Sequence, residues 1–210
     1  MKSLENQFLI AMPSLADNYF NKTVTYICEH NDEGAMGLII NMPVNITLHD
    51  LLTQIEENDN ETSAKAATPE ESDEQASNLA SEENIFLDSR LEQLVLSGGP
   101  ISQNRGFVLH RTQPGWKSSL ALSEDIMITT SKDILSAIGT NTGPDSSIIA
   151  LGYAGWTAGQ LEQEMQDNSW LTIEADDEIL FNTPIHKKWQ AAVNKLGVDV
   201  WQLAPGAGHA

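Results

Sequence analysis

Residues 56–84, EENDNETSAKAATPEESDEQASNLASEEN, set the first limit on what this chain can fold into. Ten carboxylates (Glu56, Glu57, Asp59, Glu61, Glu70, Glu71, Asp73, Glu74, Glu82 and Glu83) stand against one cation, Lys65, with no aromatic and no β-branched apolar side chain among them. A stretch of that composition cannot bury enough apolar surface to offset the entropy of ordering its backbone. The core must therefore come from the two flanks, and elements before Glu56 must pack against elements after Asn84. We read 57–84 as a disordered acidic insertion in a single domain spanning 1–210, since 210 residues with 40% hydrophobic content suffice for one sizeable core.

The flanks mix strands and helices. NQFLIAMP, TVTYICE and AMGLIIN predict strands, with HNDEG (His30 to Gly34) as the turn between the second and third. Thr47 predicts the cap of a short helix over Leu48 to Ile55. After the insertion QLVLS, GFVLHR, SLALS and IMITT predict consecutive strands, and Ser131 starts a helix through Ile138 that Gly139 stops. SIIALGYAG is apolar enough to be a strand buried on both faces. Thr157 and Gln160 have capping-box spacing ahead of Leu161 and Met165. Thr183-Pro184 starts a last helix and Gly197 ends it, with Ile185, Trp189, Ala192, Val193 and Leu196 on one face. Trp189 therefore reads as core rather than as a platform for a ligand. Runs of strands interrupted by single helices predict an α+β fold with a mixed sheet.

Charge narrows the partners. Thirty acidic residues against eleven basic ones give −19, which repels nucleic acid and anionic lipid at long range. The cations form no basic stripe, so direct nucleic-acid binding is disfavoured and a protein partner is expected. Cys28 is alone, which excludes an internal disulfide framework. FLIAM is too brief for a signal segment, and no run approaches the ~18 apolar residues of a membrane span, so we expect a cytoplasmic protein with no membrane contact.

The runs FLIAMP, YICEHN, GAMGLIIN, LSGGP, RGFVLH, ALGYAGWTAGQLEQE with NSWL, ILFNTPIHKKW and the tail AGHA occur in order along nearly the whole chain outside the insertion. In these the sequence resembles the YqgE/AlgH family of bacterial proteins. The resemblance implies an α+β fold with a bifurcated mixed, largely antiparallel sheet that includes a small barrel, surrounded by helices. It implies little chemistry, because the family has no established activity and its label of transcriptional regulator comes from a link to alginate control. The acidic insertion looks longer than the family's usual connection.

The candidate chemistry is sparse. Cys28 and His30 lie two apart on a strand and so share a face, but at ~7 Å they are beyond hydrogen-bond reach, and Cys28 reads as a small buried hydrophobe. His30, beside Asn31-Asp32, reads as a capping or surface residue. The histidines (His30, His49, His110, His186, His209) are scattered without metal-ligand spacing, so neither a metal nor another cofactor is expected. Gly152, Gly155 and Gly159 follow a strand as in a dinucleotide fold, with Glu174 about 20 residues on, but their spacing is G-x-x-G-x-x-x-G and Tyr153 and Trp156 occupy the loop a pyrophosphate would need. Ser97-Gly98-Gly99-Pro100 lacks the amide that Pro100 removes and reads as a corner where backbone meets backbone, with Arg105 pairing to a nearby carboxylate or anchoring an anion.

Two functions follow. The first is a non-catalytic binding or regulatory protein that acts through a protein partner. The alternative is an enzyme or sensor that binds a nucleotide or small anion at the Gly98-Gly99 and Gly152–Gly159 loops. Its cleft would draw on Gly98, Gly99, Arg105, His110, Tyr153, Trp156, Gln160 and Glu162, and convergence of these in one pocket separates the two.

Overall fold

The Ile-, Val- and Leu-rich runs on either side of the acidic stretch pair into one ten-stranded sheet. The computed structural model describes residues 3–13, 15, 17, 19–63, 90–138 and 140–197, with only the backbone of 58–63. Its strands are β1 (Gln7–Ala11), β2 (Val24–Asn31), β3 (Gly34–Ile39), β4 (Pro43–Thr47), β5 (Leu94–Ser97), β6 (Ile101–Arg111), β7 (Ser119–Ala121), β8 (Ile126–Thr129), β9 (Ser147–Thr157) and β10 (Trp170–Glu174). The helices are α1 (Leu48–Ser63), α2 (Lys132–Ile138), α3 (Gln160–Gln166) and α4 (Lys188–Leu196), with a π-turn over Glu178–Asn182 and a 3-10 turn over Ile185–Lys187.

The strand order is β10-β1-β2-β3-β9-β6-β8-β7, and the sheet forks at β9. The C-terminal half of β9 runs antiparallel to β3, from Gly34↔Thr157 to Gly37↔Ala154. Its N-terminal half lies between β6, antiparallel with Phe107↔Ala150, and β5, parallel with Leu96↔Ala150. β4 adds to the free side of β5. The result is a curled, largely antiparallel sheet with a few helices, an α+β fold.

Both faces of the central strands are covered, as the unbroken apolar run of β9 requires. Phe8, Ile10, Tyr26, Leu109, Ile148 and Ala150 face a core closed by the π-turn and by Trp189, Ala192 and Val193 of α4. On the other face Leu9, Ala11, Ile27, Trp156 and Trp170 pack with Leu161 of α3. Val95, Val108 and Ile149 form a third cluster with Leu48 of α1 and with Ile134, Leu135 and Ile138 of α2. Each buried Val, Leu, Ile or Phe among these contributes on the order of 1.5–3 kcal/mol by leaving water, and each alanine less.

Several local expectations are met. Thr47 caps α1 through a reciprocal pair: its hydroxyl accepts from the Asp50 N–H (3.2 Å), and the Asp50 carboxylate accepts from the Thr47 N–H (2.8 Å). Gly197 ends α4 at φ 69°, in the left-handed region where glycine carries no Cβ penalty. Trp189 is core, and its indole N–H donates to the Ala11 carbonyl at 3.0 Å.

Others need correction. β4 was not expected from sequence, because Pro43 and the exposed Asn45 hide its pattern. α1 does not stop at Ile55 but continues through Ser63, into the first residues of the expected insertion. The rest of that insertion, the helix stop at Gly139 and the tail with His209 lie outside the described residues. Thr183 does not cap the last helix: its N–H (2.7 Å) closes the preceding π-turn on the Glu178 carbonyl, and its hydroxyl turns back to donate to the same oxygen (2.8 Å). The Thr157–Gln160 box is half formed, since Gln160 Oε1 accepts from the Thr157 N–H (3.0 Å) while Gly159, at φ 75°, precedes the helix without a side-chain cap.

Cys28 and His30 do not share a face. The β2–β3 register slips between Ile27↔Gly37 and Glu29↔Met36, so Cys28 is the extra residue of a β-bulge. The bulge resets the alternation. Cys28 lies in the core with Tyr26, and His30 pairs with Ala35 on the side of the Trp156 cluster.

Candidate functional site

The two glycine loops meet, but they press on one another instead of enclosing a space. A Cβ on Gly98 would come within 2.2 Å of the Gly152 carbonyl oxygen, and one on Gly99, at φ 155°, within 2.0 Å of the Tyr153 carbonyl carbon. The Gly98 N–H donates to the Leu151 carbonyl (2.8 Å) and its own carbonyl accepts from the Ile39 N–H (2.9 Å). With its amide and carbonyl committed to the sheet, Gly98 has nothing to offer a phosphate cradle. The corner is architectural.

The remaining expected residues separate into three neighbourhoods. Arg105 is exposed and makes no ion pair among the described residues, contrary to the expected carboxylate partner. Its guanidinium instead stands 5.3 Å from the Phe107 ring, which in turn meets Tyr153 edge-on at 5.8 Å. His110 is fully buried elsewhere in β6. Its Nδ1 meets the Arg111 carbonyl (2.7 Å), so that nitrogen carries the proton and Nε2 accepts from the Thr129 hydroxyl (2.9 Å). Burial holds its pKa below the usual imidazole value. The third neighbourhood surrounds α3, where the Trp156 and Trp170 indoles both donate to Glu164 Oε2 (2.9 and 2.8 Å) and Gln160 Nε2 donates to Oε1 (3.0 Å). Glu162 accepts from His30 Nε2 at 2.7 Å, and its own backbone N–H followed by His30 lowers its pKa. His30 is therefore buried rather than on the surface. Its Nδ1 accepts from the Leu4 N–H (3.0 Å), which ties the N-terminal segment to α3.

A different place combines space with a perturbed ionisable group. A cleft of about 480 Å³ opens between the ends of β5 and β9, the C-terminus of α2, the π-turn and the start of α4. Leu94, Leu96, Ile148 and Phe181 give it apolar walls, and Arg90, Asp145 and Lys188 bring charge. Lys188 is 3% exposed. The local sequence explains its burial. Pro184 stands four residues after Leu180 and has no N–H, so it cannot complete the helical bond to the Leu180 carbonyl. Lys188 Nζ supplies that donor instead, at 2.7 Å. No carboxylate pairs with Lys188 among the described residues, and desolvation alone pushes its pKa down to about 8. Perturbed groups in clefts of this size mark functional sites more often than chance places them there.

The family model described as AlgH-like matches residues 8–201, nearly the whole chain. The chain belongs to the AlgH-like family. A UPF0301 protein of Colwellia psychrerythraea is 60% identical to it over all of both chains, and one of Vibrio cholerae is 48% identical over 99% of this chain and all of that one. The solution structure of the AlgH protein from Pseudomonas aeruginosa is 42% identical, covers both chains fully and superposes with a TM-score of 0.69. A crystal structure of a Corynebacterium diphtheriae protein, 17% identical with a TM-score of 0.58 and covering 98% of this chain, shares the fold.

In this AlgH-like chain, sequence reasoning fixed on glycines and aromatics and passed over Lys188 and Arg90. One signal pointed to the lysine: in TPIHKKW it precedes the core residue Trp189 and sits four before the buried Ala192, on the edge of the apolar face. No helix among the described residues is long and apolar enough to cross a membrane.

Proposed function

We propose that this AlgH-like protein is a non-catalytic binding protein whose ligand is a small organic molecule held in the Lys188 cleft. The observation that carries the reading is a lysine buried in the wall of a 480 Å³ cleft with no carboxylate partner among the described residues. Leaving an ammonium desolvated and unpaired costs stability, and function is a common reason for a fold to keep one. The apolar walls suit a small molecule's body and the few polar groups suit its orientation. As a regulator, the protein would report occupancy to a protein partner in the cytoplasm. Its −19 charge argues against reading DNA directly.

The test is a small-metabolite screen by ¹H–¹⁵N chemical-shift perturbation, repeated on Leu94→Arg, which places a bulky side chain at the cleft from an exposed position at the start of β5. Saturable shifts in the cleft that disappear in the variant are expected. Ligands that bind equally well to the variant, or a screen without any saturable shift, would sink the reading.

A further inference from the structure

Resting on that reading, we infer that the ligand of the cleft carries an oxyanion, a carboxylate or phosphate, which docks on Lys188 at the N-terminal end of α4. An ammonium has three N–H donors, and Lys188 has one acceptor among the described residues, the Leu180 carbonyl. Two donors are left for an occupant of the cleft, and an anionic oxygen is the acceptor that also supplies the missing countercharge.

The backbone agrees with the side chain. The 3-10 turn leading into α4 begins at Ile185 with no side-chain cap, and Thr183, Pro184 and Ile185 all line the cleft. Within the turn the Lys187 and Lys188 N–H groups donate to the Pro184 and Ile185 carbonyls, so α4 adds the positive end of a nine-residue helix, rather than free donors, on the same side as Lys188. A cation seated there without an anion is opposed by the helix dipole. Bound oxyanion reverses the sign of that interaction. Arg90 lines the same cleft, with one guanidinium nitrogen 3.5 Å from the Pro144 carbonyl, and gives the site a second positive charge. Asp145 is the carboxylate on the wall and disfavours a polyanion, so one oxyanion on an otherwise apolar body is the best match.

The glycine loops and Arg105, which the sequence offered only as the alternative anion site, lie elsewhere in the fold.

Benzoate, phenyl phosphate and uncharged benzamide form a probe set that varies charge on a constant ring. Titration calorimetry and chemical-shift titration should show both anions binding the wild type about tenfold or more tightly than benzamide, the scale of a charge-assisted hydrogen bond. Lys188→Met should bring the anions down to the benzamide level, and Lys188→Arg should retain them. If Lys188→Met does not fold, Lys188→Gln keeps a donor for the Leu180 carbonyl without the charge, and ¹³C-lysine spectra of the wild type should show the Lys188 Cε signal shift on adding benzoate. The relative affinities of benzoate and phenyl phosphate decide between carboxylate and phosphate. Benzamide binding as tightly as benzoate, or anion binding unchanged by loss of the Lys188 charge, overturns the oxyanion while leaving a cleft ligand in place. Failure of all three probes up to millimolar concentration in the wild type overturns the oxyanion inference, and the metabolite screen then judges the cleft reading separately.

Discussion

Lys188→Met should change how stability depends on pH, in a direction opposite to that of most buried groups. Burial moves the Lys188 pKa from 10.5 to about 8 in the folded protein. Below about pH 8 the folded and unfolded chains both hold the proton, and the folded state carries the whole cost of a desolvated ammonium. Between 8 and 10.5 the folded lysine has lost its proton while the unfolded one keeps it, so the unfolded state binds more protons and stability rises with pH. At 1.36 kcal/mol per unit, the gain across the window is about 3 kcal/mol.

Two other buried groups work against it in the same range. Desolvation raises the pKa of both the Cys28 thiol and the Tyr26 hydroxyl. The unfolded chain then loses those protons while the folded chain keeps them, and stability falls as pH climbs past the ordinary thiol and phenol values. The quantity to measure is therefore the difference between wild type and Lys188→Met, in which the Cys28 and Tyr26 contributions cancel. Arg90 and Asp145, the other charged side chains lining the cleft, are present in both proteins. Urea unfolding followed by tryptophan fluorescence, at intervals from about pH 7 to pH 10.5, should show wild type gaining about 3 kcal/mol on the variant. Loss of the bond to the Leu180 carbonyl adds a constant offset without changing the slope. A flat difference would mean that Lys188 titrates as an exposed lysine does, and the reasoning about its burial would fall.

Gly99→Ala should destabilise by more than about 4 kcal/mol or prevent folding, because the added methyl meets the Tyr153 backbone and not a side chain that can move. Gly159→Ala, also at positive φ but with open space around it, should cost only about 1 kcal/mol, and equal losses by urea unfolding would refute the close contact of the two glycine loops. Glu164→Ala should cost about 3 kcal/mol, since it leaves the Trp156 and Trp170 N–H groups without their acceptor; Glu164→Gln keeps a side-chain oxygen and should lose less than half as much in thermal unfolding.

The positions where sequence reading failed share a physical cause. Strands such as β2 and β9 and the core face of α4 were legible because their side chains answer to a local period. Which face a residue takes after a bulge does not follow from that period, and one extra residue at Cys28 moved His30 to the opposite side of the sheet. Thr183 had the right residue type for a cap, yet the Glu178 carbonyl that already accepts its N–H takes its hydroxyl as well. Lys188 failed in the same way for a more consequential reason. A lysine reads as solvent-facing in any binary pattern, and what buries this one is a relation across a break in helical structure: Pro184 withholds a donor from Leu180, and the side chain that supplies one lies at the start of the following helix. The cleft then follows from the break itself, because a π-turn, a proline and a 3-10 turn cannot pack against the ends of β5 and β9 as closely as a continuous helix would. The irregularity that hides the site from pattern reading also makes the space for a ligand.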